Sequence, residues 1–239
     1  MTTMSNERIE KWIEACEDPA GKAALQELLH LRESERERAK LFESVNAHVM
    51  LDIETLGTLP DSAVTAIAAM QFNPYAGDPG YDRALNWNPW CTGIDLFDSL
   101  MQGLVIYEET VKFWRKVDPE VRDFQRQVMR NAPPLREALL SFNAFITDVK
   151  RTTDMPVVVW SKSPQFDAAI LRNAYRAVDL EPAWGFRNDE DVRALYRLGK
   201  INELDDVPDM LKRKWRKHAV TSDVCQQAYL VSLAFSRLR

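Results

Sequence analysis

The most constraining feature of this sequence is a pair of acids inside an apolar run. Val49, Met50, Leu51 and Ile53 form a short hydrophobic stretch bounded by Asn46 and Gly57, the pattern of a buried strand. Asp52 and Glu54 sit two apart within it, so both carboxylates leave the same face. Unpaired carboxylates beside a core strand repel each other and lose hydration. Taken alone, the spacing fits better a strand that ends there with both acids in solvent.

The rest of the chain supports a mixed α/β domain. Further strands are expected at Val64–Phe72, near Tyr81–Trp87, and at Val157–Trp160. Helical periodicity covers Glu108–Lys116, Pro119–Arg130, Leu135–Val149, Phe166–Val178, Glu190–Leu198 and Thr221–Leu238. Early strands, helices, a central buried strand and more helices indicate a mixed sheet flanked by helices. Residues 1–46 differ, with 10 acids, 7 bases and no strand-like run. Ile9, Trp12, Ile13 and Cys16 recur at helical steps, as do Leu25, Leu28 and Leu29, with Leu41 and Phe42 further on. The mixed charges of Arg32–Lys40 fit a solvated helix face, and the segment is expected to be a helical arm before a domain at 47–239.

Composition excludes several classes. Lys and Arg total 31 against 36 Asp and Glu, a net charge of −5, which argues against coating nucleic acid through bulk charge. Hydrophobic residues at 46% and seven Trp suffice for a core. The most apolar stretch, Val224–Phe235, is broken by Gln226 and Gln227 and falls short of the roughly 20 residues a membrane span needs. No membrane association is expected, and no apolar leader-like run opens the chain. Cys16, Cys91 and Cys225 are scattered and odd in number, which suits neither a disulfide framework nor a zinc site and fits a reducing, cytoplasmic location.

Two further acids stand where acids are unusual. Asp167 shares a helix face with Ile170, Leu171 and Ala174, although alone it reads better as a helix cap. Asp223 begins a helix with the apolar stripe Val224, Ala228, Val231, Phe235 and Leu238, and His218 precedes it by five residues. Positions five apart on one helix point about 140° apart, so a shared site requires His218 in the loop before the helix, with Thr221 or Ser222 as its cap. Together, four carboxylates and one histidine make a chemical kit. Carboxylates are the ligands that Mg²⁺ or Mn²⁺ prefers. Two such ions clamp the attacking and leaving oxygens of a phosphodiester, and the histidine takes a proton from water.

These residues resemble the DEDDh 3′-5′ exonucleases, the DnaQ-like branch of the RNase H-like fold. The family's first motif, Asp-x-Glu-Thr-x-Gly, reads Asp52-Ile-Glu54-Thr55-Leu56-Gly57. Its second ends in Phe-Asp, here Phe166-Asp167 after Ser163, and its third, His-x4-Asp, spans His218 to Asp223. Thr110–Trp114 with Asp118–Arg122, and Trp184–Arg193, resemble a subgroup containing phage exonuclease A, exonuclease VIII-like proteins and mycobacterial-type exoribonucleases.

The resemblance implies an RNase H-like sheet and a metal-dependent 3′-5′ exonuclease acting on single strands. By it, Asp52, Glu54, Asp167 and Asp223 hold two Mg²⁺ (or Mn²⁺) and His218 is the general base. Thr55 and Leu56 contact the 3′-terminal nucleotide, Phe166 walls the site, and Asn188, Asp191 and Arg193 brace it or touch substrate. For Asp191 and Arg193 an internal ion pair is the better reading. Ser163 stands where many relatives have Asn, and Val220 and Val224 where many have Ala; no metal ligand is lost.

Pro208–Lys217 holds Lys212, Arg213, Lys214, Arg216 and Lys217 against Asp209, with Trp215 among them. Cations beside an aromatic suit phosphate contact and base stacking, and a solvated helix end accounts for them equally. Trp114 and Phe113 are further stacking candidates. The expected partner is a single strand of RNA or DNA with a free 3′ end; a homodimer and a protein partner for residues 1–46 also stay open. The rival functions are an adaptor acting through that arm and a phosphohydrolase on small nucleotides.

Overall fold

The computed structural model describes residues 6–43, 46–75 and 84–238. The chain divides into two compact units, Met1–Val45 and Asn46–Arg239. The first is a pair of helices, α1 (Asn6–Ala15) and α2 (Pro19–Glu43). Asp18 accepts hydrogen bonds from the N–H groups of Ala20 and Gly21 where α2 begins, and Pro19 opens the helix.

The second unit holds a five-stranded sheet: β1 (Ala47–Thr55), β2 (Val64–Phe72), β3 (Trp90–Gly93), β4 (Val157–Ser161) and β5 (Asp189–Asp191), in the order β3-β2-β1-β4-β5. β2 runs antiparallel to both neighbours, while β1, β4 and β5 are parallel. Among the described residues eight α-helices accompany it: α3 (Leu96–Met101), α4 (Glu108–Lys116), α5 (Pro119–Met129), α6 (Leu135–Thr153), α7 (Asp167–Ala177), α8 (Val192–Leu198), α9 (Asp209–Lys214) and α10 (Val220–Arg237). This is the mixed, helix-flanked sheet that the order of elements in the sequence predicts.

The period of two along β1 divides the core. Val49, Leu51 and Ile53 face a layer with Leu139, Phe142 and Ile146 of α6 and Leu171 and Ala174 of α7. Met50 faces the opposite layer, with Val192 of α8 and Val224, Ala228 and Val231 of α10. By the same alternation Asp52 and Glu54 point toward α10, not toward solvent. Their cross-strand partners on β2 are Ala68 and Ala66, which leave room beside them.

Three expectations change. The third strand is Trp90–Gly93 rather than Tyr81–Trp87; Ala84 and Leu85 form a helical turn, and 81–83 lie outside the described residues. The helix expected from Glu190 starts at Val192, because Asp189–Asp191 pair with Val159–Ser161 as the edge strand. Neither Thr221 nor Ser222 caps α10: its cap residue is Ala219, and Asp223 in its first turn accepts a hydrogen bond from the His218 N–H at 2.8 Å. His48 is buried in β1 and accepts a hydrogen bond at Nδ1 from Trp160 Nε1. Burial holds it down at about 4, so this histidine stays neutral.

Candidate active site

The carboxyl end of β1 opens into a cleft of about 1140 Å³ lined by Asp52, Glu54, Asp167, Asp223 and His218. Each acid arrives from a different local cause. Asp52 and Glu54 come from the strand alternation. A register shift at Glu54/Thr55 then bends β1 out of its ladder. Gly57 sits so close to Ser62 and the Tyr107 ring that any Cβ there collides with both, which keeps the turn after β1 tight. Asp167 is in the first turn of α7 after β4, and its buried carboxylate accepts the Ser163 N–H at 3.2 Å. Asp223 is placed by α10. His218 lies in the preceding loop with a left-handed φ of 68°.

Ligand oxygens of Asp52, Glu54 and Asp223 all lie within 4.8 Å of one another. Asp167 is outside that trio, yet its charge still acts on both Asp52 and Glu54. Burial, then the neighbouring acids, hold Asp52 and Glu54 well above the usual carboxylate range. Burial raises Asp167 to about 7 and Asp223 to about 6. Glu54 Oε1 is buried without a hydrogen-bond partner. Oxygen-only donors, mutual repulsion and an orphaned oxygen fit hard divalent cations, which neutralise such a cluster.

His218 is half-buried, edge-on to Phe113 at 5.1 Å and to Trp114 at 6.4 Å between ring centres. Burial first, then Lys217 and Lys162, hold its imidazole below the usual value. Trp114 donates from Nε1 to the Thr55 carbonyl at 2.9 Å, tying α4 to the end of β1.

The cleft also gathers Thr55, Trp114, Phe166 and Arg193. Other expected contacts do not reach it. Trp215 is only 5% exposed, stacked on Trp87 and edge-on to Tyr229, so it is a core residue and not a base-stacking platform. Lys214 donates to the Leu85 carbonyl, outside the cleft. Asn188 donates to the Val157 carbonyl at 2.8 Å and braces β4. Leu56 does not line the cleft; its N–H donates to the Ala63 carbonyl and its carbonyl accepts from the Tyr107 N–H. Asp191 caps α8 through Ala194 N, and among the described residues no ion pair joins it to Arg193.

Sequence reasoning missed Gln227 and Lys162, whereas Lys217 of the expected basic run does line the cleft. Gln227 donates to Asp52 Oδ1 at 2.7 Å and is buried. Its signal was an amide inside the apolar stripe of α10, one turn after Asp223. Lys162, directly after β4, pairs with Glu203, and both line the cleft.

Two expected results follow from this geometry. Gln227→Leu leaves Asp52 Oδ1 without its donor. The Mg²⁺ concentration giving half-maximal activity is expected to rise about 10- to 100-fold, read from a metal titration. The second concerns pH. An acid whose pKa is higher folded than unfolded binds its proton more tightly in the fold. That stabilisation is complete below about pH 4 and is lost as pH rises through the folded value. Four carboxylates act in this sense, and His48 and His218, both depressed first by burial, act against them. The metal-free Tm is therefore expected to fall between about pH 5 and pH 8, and Mn²⁺ or Mg²⁺ to restore most at the alkaline end. Thermal melts in chelator and in metal measure both. A Tm that climbs over this range means the carboxylates are not in conflict.

An acid-lined cleft at the carboxyl end of parallel strands is the kind of site that holds divalent cations. A family model described as the 3′-5′ exoribonuclease Rv2179c-like domain matches residues 47–235, and the chain belongs to that family of 3′-5′ exonucleases. No curated protein sequence matches it. Among solved structures, Escherichia coli exonuclease I in complex with a dT13 oligonucleotide is 15% identical, with a TM-score of 0.48, over 80% of this chain and 41% of that one. The zinc-bound form of the E. coli exonuclease I–ssDNA complex is 14% identical, with a TM-score of 0.49, over 79% and 40%. The chain thus spans about two fifths of the length of those proteins. Among the described residues no helix is long and apolar enough to cross a membrane.

Proposed function

We propose that this chain is a DEDDh-type 3′-5′ exonuclease that removes nucleoside 5′-monophosphates from the 3′ end of a single strand. The observation that carries this reading is the Asp52–Glu54–Asp223 cluster, its first two acids buried and the third partly so, sharing one open cleft with the half-buried His218. Asp52, Glu54, Asp167 and Asp223 hold divalent cations, two Mg²⁺ or Mn²⁺ in this reading. When bound, these ions supply charge neutralisation and polarisation of the phosphoryl oxygens.

The protein's own groups do the rest. His218 takes a proton from water at its free imidazole nitrogen, which burial keeps unprotonated near neutral pH. The water oxygen bonds to phosphorus, the bond from phosphorus to the 3′-oxygen of the penultimate nucleotide breaks, and that oxygen takes a proton from solvent. Lys162 and Lys217 offset the charge that builds on the phosphoryl group. Phe113 and Trp114 hold the His218 ring edge-on and wall the terminal nucleotide. The motif similarity at Thr110–Trp114 and Trp184–Arg193 supports the exoribonuclease subgroup.

The family's description supports RNA as the substrate. Matched 5′-labelled RNA and DNA strands incubated with Mg²⁺ or Mn²⁺ test both points. The expected result is a ladder shortening from the 3′ end, faster for RNA, with release of monophosphates. Strands left intact in either metal, or cut internally, overturn the reading.

A further inference from the structure

A second groove, of about 560 Å³, meets the acidic cleft along Phe113, Lys217 and His218, which line both. Its other walls come from the last turn of α4, from the start of α5, and from α9 with the loop after it. They carry Lys116, Lys212, Arg213 and Arg216. The one acid in its lining, Asp118, accepts the Glu120 N–H at 2.8 Å as the cap of α5. Cations in the last turn of a helix suit its dipole, and that explains a basic residue at either terminus. It does not explain why the ends of α4 and α9 face the same groove. Some of the charge is already spoken for: Arg216 pairs with Glu120 and Lys212 with Asp209. Lys116 and Arg213 are exposed, and among the described residues neither joins an ion pair. They come from two different elements that line the groove, α4 and α9.

We infer that this basic groove carries the phosphodiester backbone of the strand beyond the two terminal nucleotides, so that Lys116 and Arg213 set the enzyme's preference for polymers over short fragments. The inference rests on the exonuclease reading, in which the 3′ end occupies the acidic cleft. A strand leaving past the exposed edge of Phe113 passes directly from carboxylates to cations. Backbone phosphates are the ligands that a row of ammonium and guanidinium groups selects without regard to base. The net acidity of the chain confines strand binding to such a local track.

The test uses the full chain and the double variant Lys116→Gln/Arg213→Gln. Binding of a fluorescent single strand of about 12 nucleotides is measured by anisotropy in chelator, so that no hydrolysis intervenes. Kd is expected to rise about tenfold, and the slope of log K against log salt to shrink by about 1.4, the value for two lost single-strand phosphate contacts. With metal, kcat/KM on the same strand falls in parallel, while a dinucleotide, too short to enter the groove, is hydrolysed within about twofold of the unaltered rate. Unchanged Kd and salt slope overturn the inference. An equal loss on strand and dinucleotide also overturns it, because the two cations then act through the His218 wall. A matching loss of affinity for polyglutamate of similar length shows a general anion surface and overturns it as well. If binding shifts as expected but the unaltered protein hydrolyses neither substrate, the groove stands and the exonuclease reading falls.

Discussion

Asp52→Asn is expected to stop strand trimming and, at the same time, to make the metal-free protein more stable. Asp52 is buried between Glu54 and Asp223 with only the Gln227 amide as a side-chain donor. Asparagine has the same shape, keeps an oxygen for Gln227, and removes one of the clustered charges. It also places a donor beside Glu54, whose Oε1 has no partner. Burial and three neighbouring acids all oppose ionisation at this position. The Tm in chelator near pH 8 is expected to rise by about 3 °C or more. A site that holds cations stores such conflict when empty and releases it when loaded. kcat on a labelled strand is expected to fall at least about 10³-fold, because a ligand oxygen and its charge are both lost. A near-normal rate would remove Asp52 from the reaction. A lower Tm would mean that the carboxylate is favourably held.

His218→Asn is expected to lower kcat by about 10²- to 10⁴-fold with little change in the metal concentration required. The choice of asparagine follows from the backbone. His218 has a φ of 68°, a region that asparagine tolerates better than most residues and alanine less well. The backbone N–H that holds Asp223 at 2.8 Å survives the exchange, so the carboxylate stays in place. Only the imidazole edge between Phe113 and Trp114 is lost. Metal titration separates two roles. A half-saturation point that moves as far as the rate would make His218 a support for Asp223 rather than a proton acceptor.

Much of the fold was legible because burial imposes periodicity. Val64–Phe72 and Glu108–Lys116 have the same ends in sequence and structure, since each is bounded by a change in pattern or by a turn residue. The short elements were not. β3 has four residues and β5 three, too few for alternation to register, and β5 carries only acids. Asp189 sits there because it accepts from Arg172 and Trp184, partners that no local pattern announces. The Trp215 expectation went astray for a related reason. An aromatic among five cations reads as a platform, but its neighbours Trp87 and Tyr229 are distant in sequence and draw it inward.

By itself the sequence determined the chemistry in reach: four acids and one histidine in three spaced motifs, on elements whose order indicates a mixed sheet flanked by helices. Spacing along a strand or helix is local geometry, and it puts Asp52 and Glu54 on one face whatever else happens. Only the tertiary structure decided that this face is covered by α10, so that the acids are buried together instead of ending a strand in solvent. The same packing decided that Gln227 orients Asp52, that Lys162 and Lys217 join the cleft, and that Lys116 and Arg213 face one groove. Those relations depend on which elements pack side by side, and the energies that select the packing are sums over many distant apolar contacts.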